Sequence, residues 1–261
     1  MAGSAPHVTT WVLLEYRCAW GRHVTTENEL DLSVRDWLTD SLRSLVRRGE
    51  RPRVQFIRRE RDGNPEAPFT LFISRGELLQ VCKFGAYTDL LDVDIAAHSL
   101  EPLDLNHYFV CTNDQRDQCC GRLGKPLFTA MRARLGDRVW ETSHVGGHRM
   151  APNVLVLPAG YLCGRVFEAE CDEFLEVMER DGFPGRWLRG RTAYPAEAQA
   201  CEAIFGGRTA ALRDLRDLSA EFTDCNGNRV RIAVPPKKSV QVIENCGAEP
   251  TRVGAFVTSG G

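Results

Sequence analysis

A chain of 261 residues with 33 Lys+Arg, 35 Asp+Glu, 43% hydrophobic residues and ten cysteines is long enough for one large domain or two ordinary ones. Its formal charge of -2 removes the general attraction on which nucleic-acid and anionic-membrane binders rely, so neither polyanion is an expected partner. No apolar run approaches the roughly 18 residues that span a bilayer, and residues 1–10 lack a basic stretch followed by an apolar one, so the expected location is the cytoplasm. The cysteine content stays below the roughly 8–10% of disulfide-stapled secreted scaffolds, which favours reduced thiols, metal ligands or redox groups.

The chain opens with an apolar run at 11–16, a strand, followed by a polar loop. Val34, Trp37, Leu38, Leu42 and Leu45 then fall at helical spacing, with Gly49 as the stop. Apolar runs at 54–57, 69–73 and 78–84 are separated by Asp62-Gly63-Asn64-Pro65 and Arg75-Gly76, and read as successive strands, the last two a hairpin. The same order then recurs: a strand at 108–110, a loop, a helix with Leu123, Leu127, Met131 and Leu135 on its apolar face, and Gly136 as its stop. Strands follow at 139–142, 153–157 and 162–167, and a closing helix at 171–180 carries Phe174, Leu175, Val177 and Met178.

Strand, helix, strand, hairpin, helix is the order of a thioredoxin-like unit. The expected fold is α/β: two tandem thioredoxin-like units, each a mixed sheet flanked by helices, plus a small C-terminal α+β extension. The expected divisions are 1–100, 101–182 and 183–261, the last packed on the second unit. In the extension, helices are expected over 195–205 and 210–218, and Asn226-Gly227 between Phe222 and Val230 signals a hairpin.

The chemistry concentrates in the second unit. Cys111 and the vicinal pair Cys119-Cys120 flank one loop, and His144 and His148 flank another, with Gly146-Gly147 between them. One loop follows the unit's first strand and the other follows the strand parallel to it, so both should lie at the same end of the sheet. The glycines give the histidine loop freedom to bend and leave room around it. Zinc accepts two thiolates and two imidazoles, but its finger modules place about two to four residues between cysteines, whereas eight separate Cys111 from Cys120. A larger object, a two-iron cluster reached from two loops, suits the spacing better, and mixed cysteine and histidine ligation of such clusters is established chemistry.

Cys111 and Cys120 with Arg116-Asp117 between them, Cys120-Gly121, His144-Val-Gly-Gly-His148, and Arg189-Gly-Arg-Thr192 followed by Gln199-Ala-Cys-Glu202 resemble the sucrase/ferredoxin-like proteins, relatives of the thioredoxin-like ferredoxins. In those ferredoxins four cysteines bind a [2Fe-2S] cluster; in the branch this chain resembles, two histidines replace the later pair. The resemblance implies a [2Fe-2S] cluster with ligands Cys111, Cys120, His144 and His148. Motif spacing, and a place beside Gly121 at a helix start where backbone N–H groups favour a thiolate, select Cys120 over Cys119.

The expected function is one-electron transfer, coupled to protons through an imidazole, with an unidentified redox protein as donor or acceptor. The protein is read as an electron carrier and not as a catalyst with its own substrate. No pair of carboxylates in a glycosidase setting stands out, so no sucrase activity is expected. The competing readings are a cluster-free thiol oxidoreductase, which leaves the histidines unexplained, and a structural zinc module. Cys18, Cys82, Cys163, Cys171, Cys201, Cys225 and Cys246 show no metal-type clustering, and core packing is expected for most. His7, His23, His98 and His107 lack companions at ligand spacing. Arg116 and Asp117 are expected to support the cysteine loop, Arg189 and Arg191 to hold the extension, and Pro152 occupies a place where thioredoxin-like folds often carry a cis proline. The first unit, with no cysteine pair around Cys18, is expected to be a scaffold or docking surface.

Overall fold

The computed structural model describes residues 1–59, 67–97, 100–180, 182–243 and 247–258. The turn at 62–65, His98 and Cys246 lie outside them.

The first half runs β1 (Thr10–Glu15), α1 (Leu32–Arg47), β2 (Pro52–Arg58), β3 (Phe69–Arg75), β4 (Leu78–Phe84) and β5 (Glu101–Leu103). The second runs β6 (His107–Cys111), α2 (Gln118–Leu135), β7 (Val139–Thr142), β8 (Asn153–Leu157), β9 (Tyr161–Gly164) and α3 (Cys171–Arg180), followed by β10 (Leu188–Arg191). Both halves use the same pairing. The first strand lies parallel to the strand after its helix (β1 to β2, β6 to β7) and antiparallel to the next (β1 to β3, β6 to β8), which forms a hairpin with the fourth. Where the second half closes with α3, the first has only a short 3-10 turn at Tyr87–Asp92. The short β5 and β10 at the sheet's edges carry too few apolar residues to stand out in the sequence.

The two halves join edge to edge. β2 pairs antiparallel with β7 through Ile57 with Thr142 and Arg58 with Glu141, giving one ten-stranded mixed sheet in the order β10-β9-β8-β6-β7-β2-β1-β3-β4-β5. Side chains alternate along each strand, so successive residues serve different cores. Val12 and Leu14 pack with Val34, Leu38 and Leu45 of α1. Tyr108 and Val110 pack with Leu127 and Met131 of α2 and with Phe174 of α3. On the other face Trp11, Leu13, Phe72, Phe109, Trp140 and Leu155 form a single core shared by both halves. Phe72 of β3 meets Phe109 of β6 edge-on at 5.6 Å although β3 and β6 stand four places apart in the sheet. The sheet is therefore curled, with its inner face closed on itself. Burial of both faces accounts for the near-continuous apolar runs of β1, β6 and β8.

The C-terminal segment contains α4 (Ala196–Phe205), an antiparallel sheet of β11 (Thr209–Arg216), β12 (Ser219–Asp224) and β13 (Arg229–Ala233), and a hairpin of β14 (Lys237–Ile243) and β15 (Pro250–Phe256). The helix expected over 210–218 is instead β11 and its turn. Leu212 and Leu215 suggest helical spacing, but a register shift between Leu212 and Asp214 inserts one extra residue into the strand. Leu212 then opposes Phe222 and Leu215 opposes Ala220, so leucines three apart share one face against Tyr194, Ala198 and Cys201. The segment touches both halves, since Arg208 pairs with Glu77 of the first half and Arg191 contacts both Glu77 and Glu202.

Candidate metal centre

Cys111 ends β6 and stands in register with Thr142, which ends the parallel strand β7. The loops that follow these strands thus leave the sheet side by side. Asp117 caps α2, its carboxylate accepting from the Cys119 N–H at 2.9 Å, and Cys120 falls in the first helical turn, buried against β6. The helix can sit this close because Gly124 has no side chain: a Cβ there would lie 2.2 Å from the Cys111 carbonyl oxygen.

The structure brings Cys111, Cys120 and His144 together, with one ligand atom from each within 4.8 Å of the others. His144 Nδ1 lies 3.6 Å from the Cys120 Sγ and 4.0 Å from the Cys111 Sγ. His148 is adjacent but outside this group; its ring centroid is 5.3 Å from that of His144, and its Nε2 is 3.8 Å from the Asp117 carboxylate. Burial lowers the His148 pKa, against the opposing pull of Asp117. Cys119 is disulfide-bonded, and of the vicinal pair it is Cys120 that joins the group with His144. Ala151–Pro152, at the entrance to β8, is cis.

The thiols differ in their protons. The hydrogen bond from Cys120, joined by contacts with His144 and the Val145 N–H, holds the Cys111 thiol well below its ordinary range. That same hydrogen bond, burial and the Cys111 charge push Cys120 up. Between the two, the thiolate is favoured on Cys111. A cation that displaces the shared proton releases it to solvent.

The histidine loop is gripped from below. Arg189, 2% exposed, donates to the Gly146 carbonyl and to Asn153 Oδ1, both at 2.8 Å, and to the Ser4 carbonyl at 2.8 Å. Burial, aided by the charge of Arg149, pushes its guanidinium down to about 10, still cationic at neutral pH. Gly146 and Gly147 have φ of +92° and +71°, and a Cβ on Gly147 would lie 2.4 Å from the Arg189 guanidinium. The glycine pair therefore provides both left-handed backbone and clearance. Across the seam, Arg53 of β2 donates to the His144 carbonyl at 3.1 Å and the Phe56 N–H donates to the Ser143 hydroxyl at 3.0 Å. The first half thus helps hold the histidine loop.

Other residues have different places. Arg189 grips the histidine loop, and Arg191 bonds to Tyr161 of β9 and reaches the extension through Thr209 and Glu202. Cys163, Cys171 and Cys201 are buried as expected, whereas Cys18 and Cys225 are exposed and Cys82 is half-buried. The role of Arg53 was not apparent from sequence, because it is brought in from 91 residues upstream of His144.

A curled mixed α/β sheet with two buried cysteines and a half-buried histidine brought together at one end defines the class of protein. A family model described as sucrase/ferredoxin-like matches residues 1–190, and the chain belongs to that family. Among solved structures, it is similar to a thioredoxin-like [2Fe-2S] ferredoxin from Aquifex aeolicus, with 23% identity, 36% of this chain and 97% of that chain covered, and a TM-score of 0.32. Two cysteine-to-serine variants of that ferredoxin match with 27% and 26% identity. They cover 32% of this chain and 96% and 97% of theirs, at TM-scores of 0.29 and 0.28. No curated protein matches the chain significantly. Among the described residues no helix is long and apolar enough to cross a membrane.

Proposed function

We propose that Cys111, Cys120, His144 and His148 hold a [2Fe-2S] cluster and that the protein passes single electrons to or from a redox protein partner. The observation that carries this reading is the meeting of Cys111, Cys120 and His144 at one end of the sheet, from positions 9 and 33 residues apart along the chain. The donor set suits the group: buried thiols and imidazoles, both of which ligate iron. The repeated strand order supports reading residues 1–100 and 101–182 as two thioredoxin-like units, with 183–261 as an extension.

A bound cluster of this kind supplies a centre that accepts and releases one electron. The protein's own residues set the conditions. Cys111 and Cys120, both buried, keep water from the sulfur side. Arg189 and Asn153 fix the histidine loop, with the Asn153 amide donating to the Gly147 carbonyl at 3.2 Å. Neutral imidazoles in place of two thiolates leave the site less negative, so electron uptake requires less electrostatic work than with four cysteines. The second ring nitrogen of His144 or His148 can carry a proton, coupling electron uptake to proton uptake.

Redox titration tests this. The midpoint potential should fall as pH rises through the range where a ligand imidazole ionises, because the reduced form holds its proton more tightly. His144→Cys should lower the potential in protein that still assembles the centre. A flat pH response would remove proton coupling, and an unchanged potential in the variant would remove His144 from the ligand set. A second reading, a single zinc ion on Cys111, Cys120 and His144, is favoured by how compactly those three donors lie; metal content separates the two.

A further inference from the structure

A cavity of about 400 Å³ opens beside His144, where the loop after β1, the start of β2 and the loops after β6 and β7 meet. Three arginines line it, Arg22, Arg53 and Arg116, and no carboxylate does. Among the described residues none of the three is joined to an acidic side chain. Elsewhere in the protein arginines are commonly paired: Arg58 with Glu141, Arg138 with Glu179, and Arg186 with both Glu170 and Glu173. Three cations lining one cavity repel one another, and an anion placed among them relieves that repulsion. Arg53 is also held ready. Its guanidinium donates to the His144 carbonyl and lies 5.7 Å from the Trp11 ring centroid. Val24, Leu42 and Val54 add apolar surface to its lining. A lining that combines cations with apolar surface, in a volume suited to a small molecule, describes the ligand as well as the site.

We propose that this cavity binds a small organic anion, its carboxylate or phosphate held by Arg22, Arg53 and Arg116 and its apolar body lying against Val24, Leu42 and Val54. The first half of the chain contributes most of the walls, which gives that half a binding role in addition to bracing the histidine loop. The assignment stands on the cavity; only the statement that its ligand rests beside an electron-transfer centre depends on the cluster reading.

Calorimetric titration of the full chain with benzoate, benzamide and inorganic phosphate tests the proposal, with iron and sulfide measured on the same preparation so that each reading can fail separately. Benzoate should bind, and neutral benzamide should bind about tenfold more weakly or worse, since charge-assisted hydrogen bonds to guanidinium are the strong ones. The double variant Arg22→Gln, Arg116→Gln should lose about tenfold or more in benzoate affinity while its circular dichroism spectrum stays unchanged. No benzoate binding at millimolar concentration, equal affinity for benzamide, or full affinity in the folded double variant would overturn the site. Phosphate binding as tightly as benzoate would overturn the organic character of its ligand.

Discussion

At the scale of single residues, the choice between adjacent thiols is decided by direction. Consecutive residues at a helix start point about 100° apart on a 3.6-residue turn. Cys120 turns inward to lie 3.6 Å from His144, while Cys119 is taken up in a disulfide. Cys120→Ser should therefore abolish metal loading and Cys119→Ser should retain it, as read by bound iron per chain and visible absorbance. Loading that survives the first change and vanishes with the second would reverse the assignment. The meeting of Cys111, Cys120 and His144 was legible because each carries its chemistry in its residue type and spacing. Arg189 as the grip beneath the histidine loop was not, because its work depends on β10 lying beside β9, which brings it to Gly146 from 43 residues further along the chain.

At the scale of elements, β10 and α4 are joined by a buried ion pair. Arg191 donates to the Tyr161 hydroxyl at 2.6 Å and to the Thr209 carbonyl at 2.9 Å, and lies 3.0 Å from the carboxylate of Glu202, which has no exposed surface. Burial raises the Glu202 pKa, and Arg191 is the first of the opposing influences. Removing the cation leaves a buried carboxylate without its charge partner, a change that typically costs about 3–5 kcal/mol. Arg191→Leu should show a loss of that size in denaturant unfolding, and a loss below about 1 kcal/mol would mean that the extension is held by its apolar contacts instead. Helices α1, α2 and α3 were readable from the spacing of Val34, Leu38 and Leu45, of Leu127 and Met131, and of Phe174, Leu175 and Met178. β11 was not, because its bulge places Leu212 and Leu215 on one face and so imitates the helical repeat.

At the scale of the whole molecule, the repeated order of strands and helices was visible in the sequence, but the way the halves meet was not. Among the described residues only Ile57 with Thr142 and Arg58 with Glu141 register across the seam, and no local pattern marks either strand as an edge seeking a partner. The join has a chemical consequence. It brings Arg53 to the His144 carbonyl and Phe56 to Ser143, so the loop carrying the proposed nitrogen ligands is braced by the half that lacks a cysteine pair. The most direct test of this account is the iron, acid-labile sulfide and zinc content of the full chain purified without oxygen. The prediction is two irons and two sulfides per chain in a coloured protein; a colourless protein carrying zinc, or no metal at all, would contradict it.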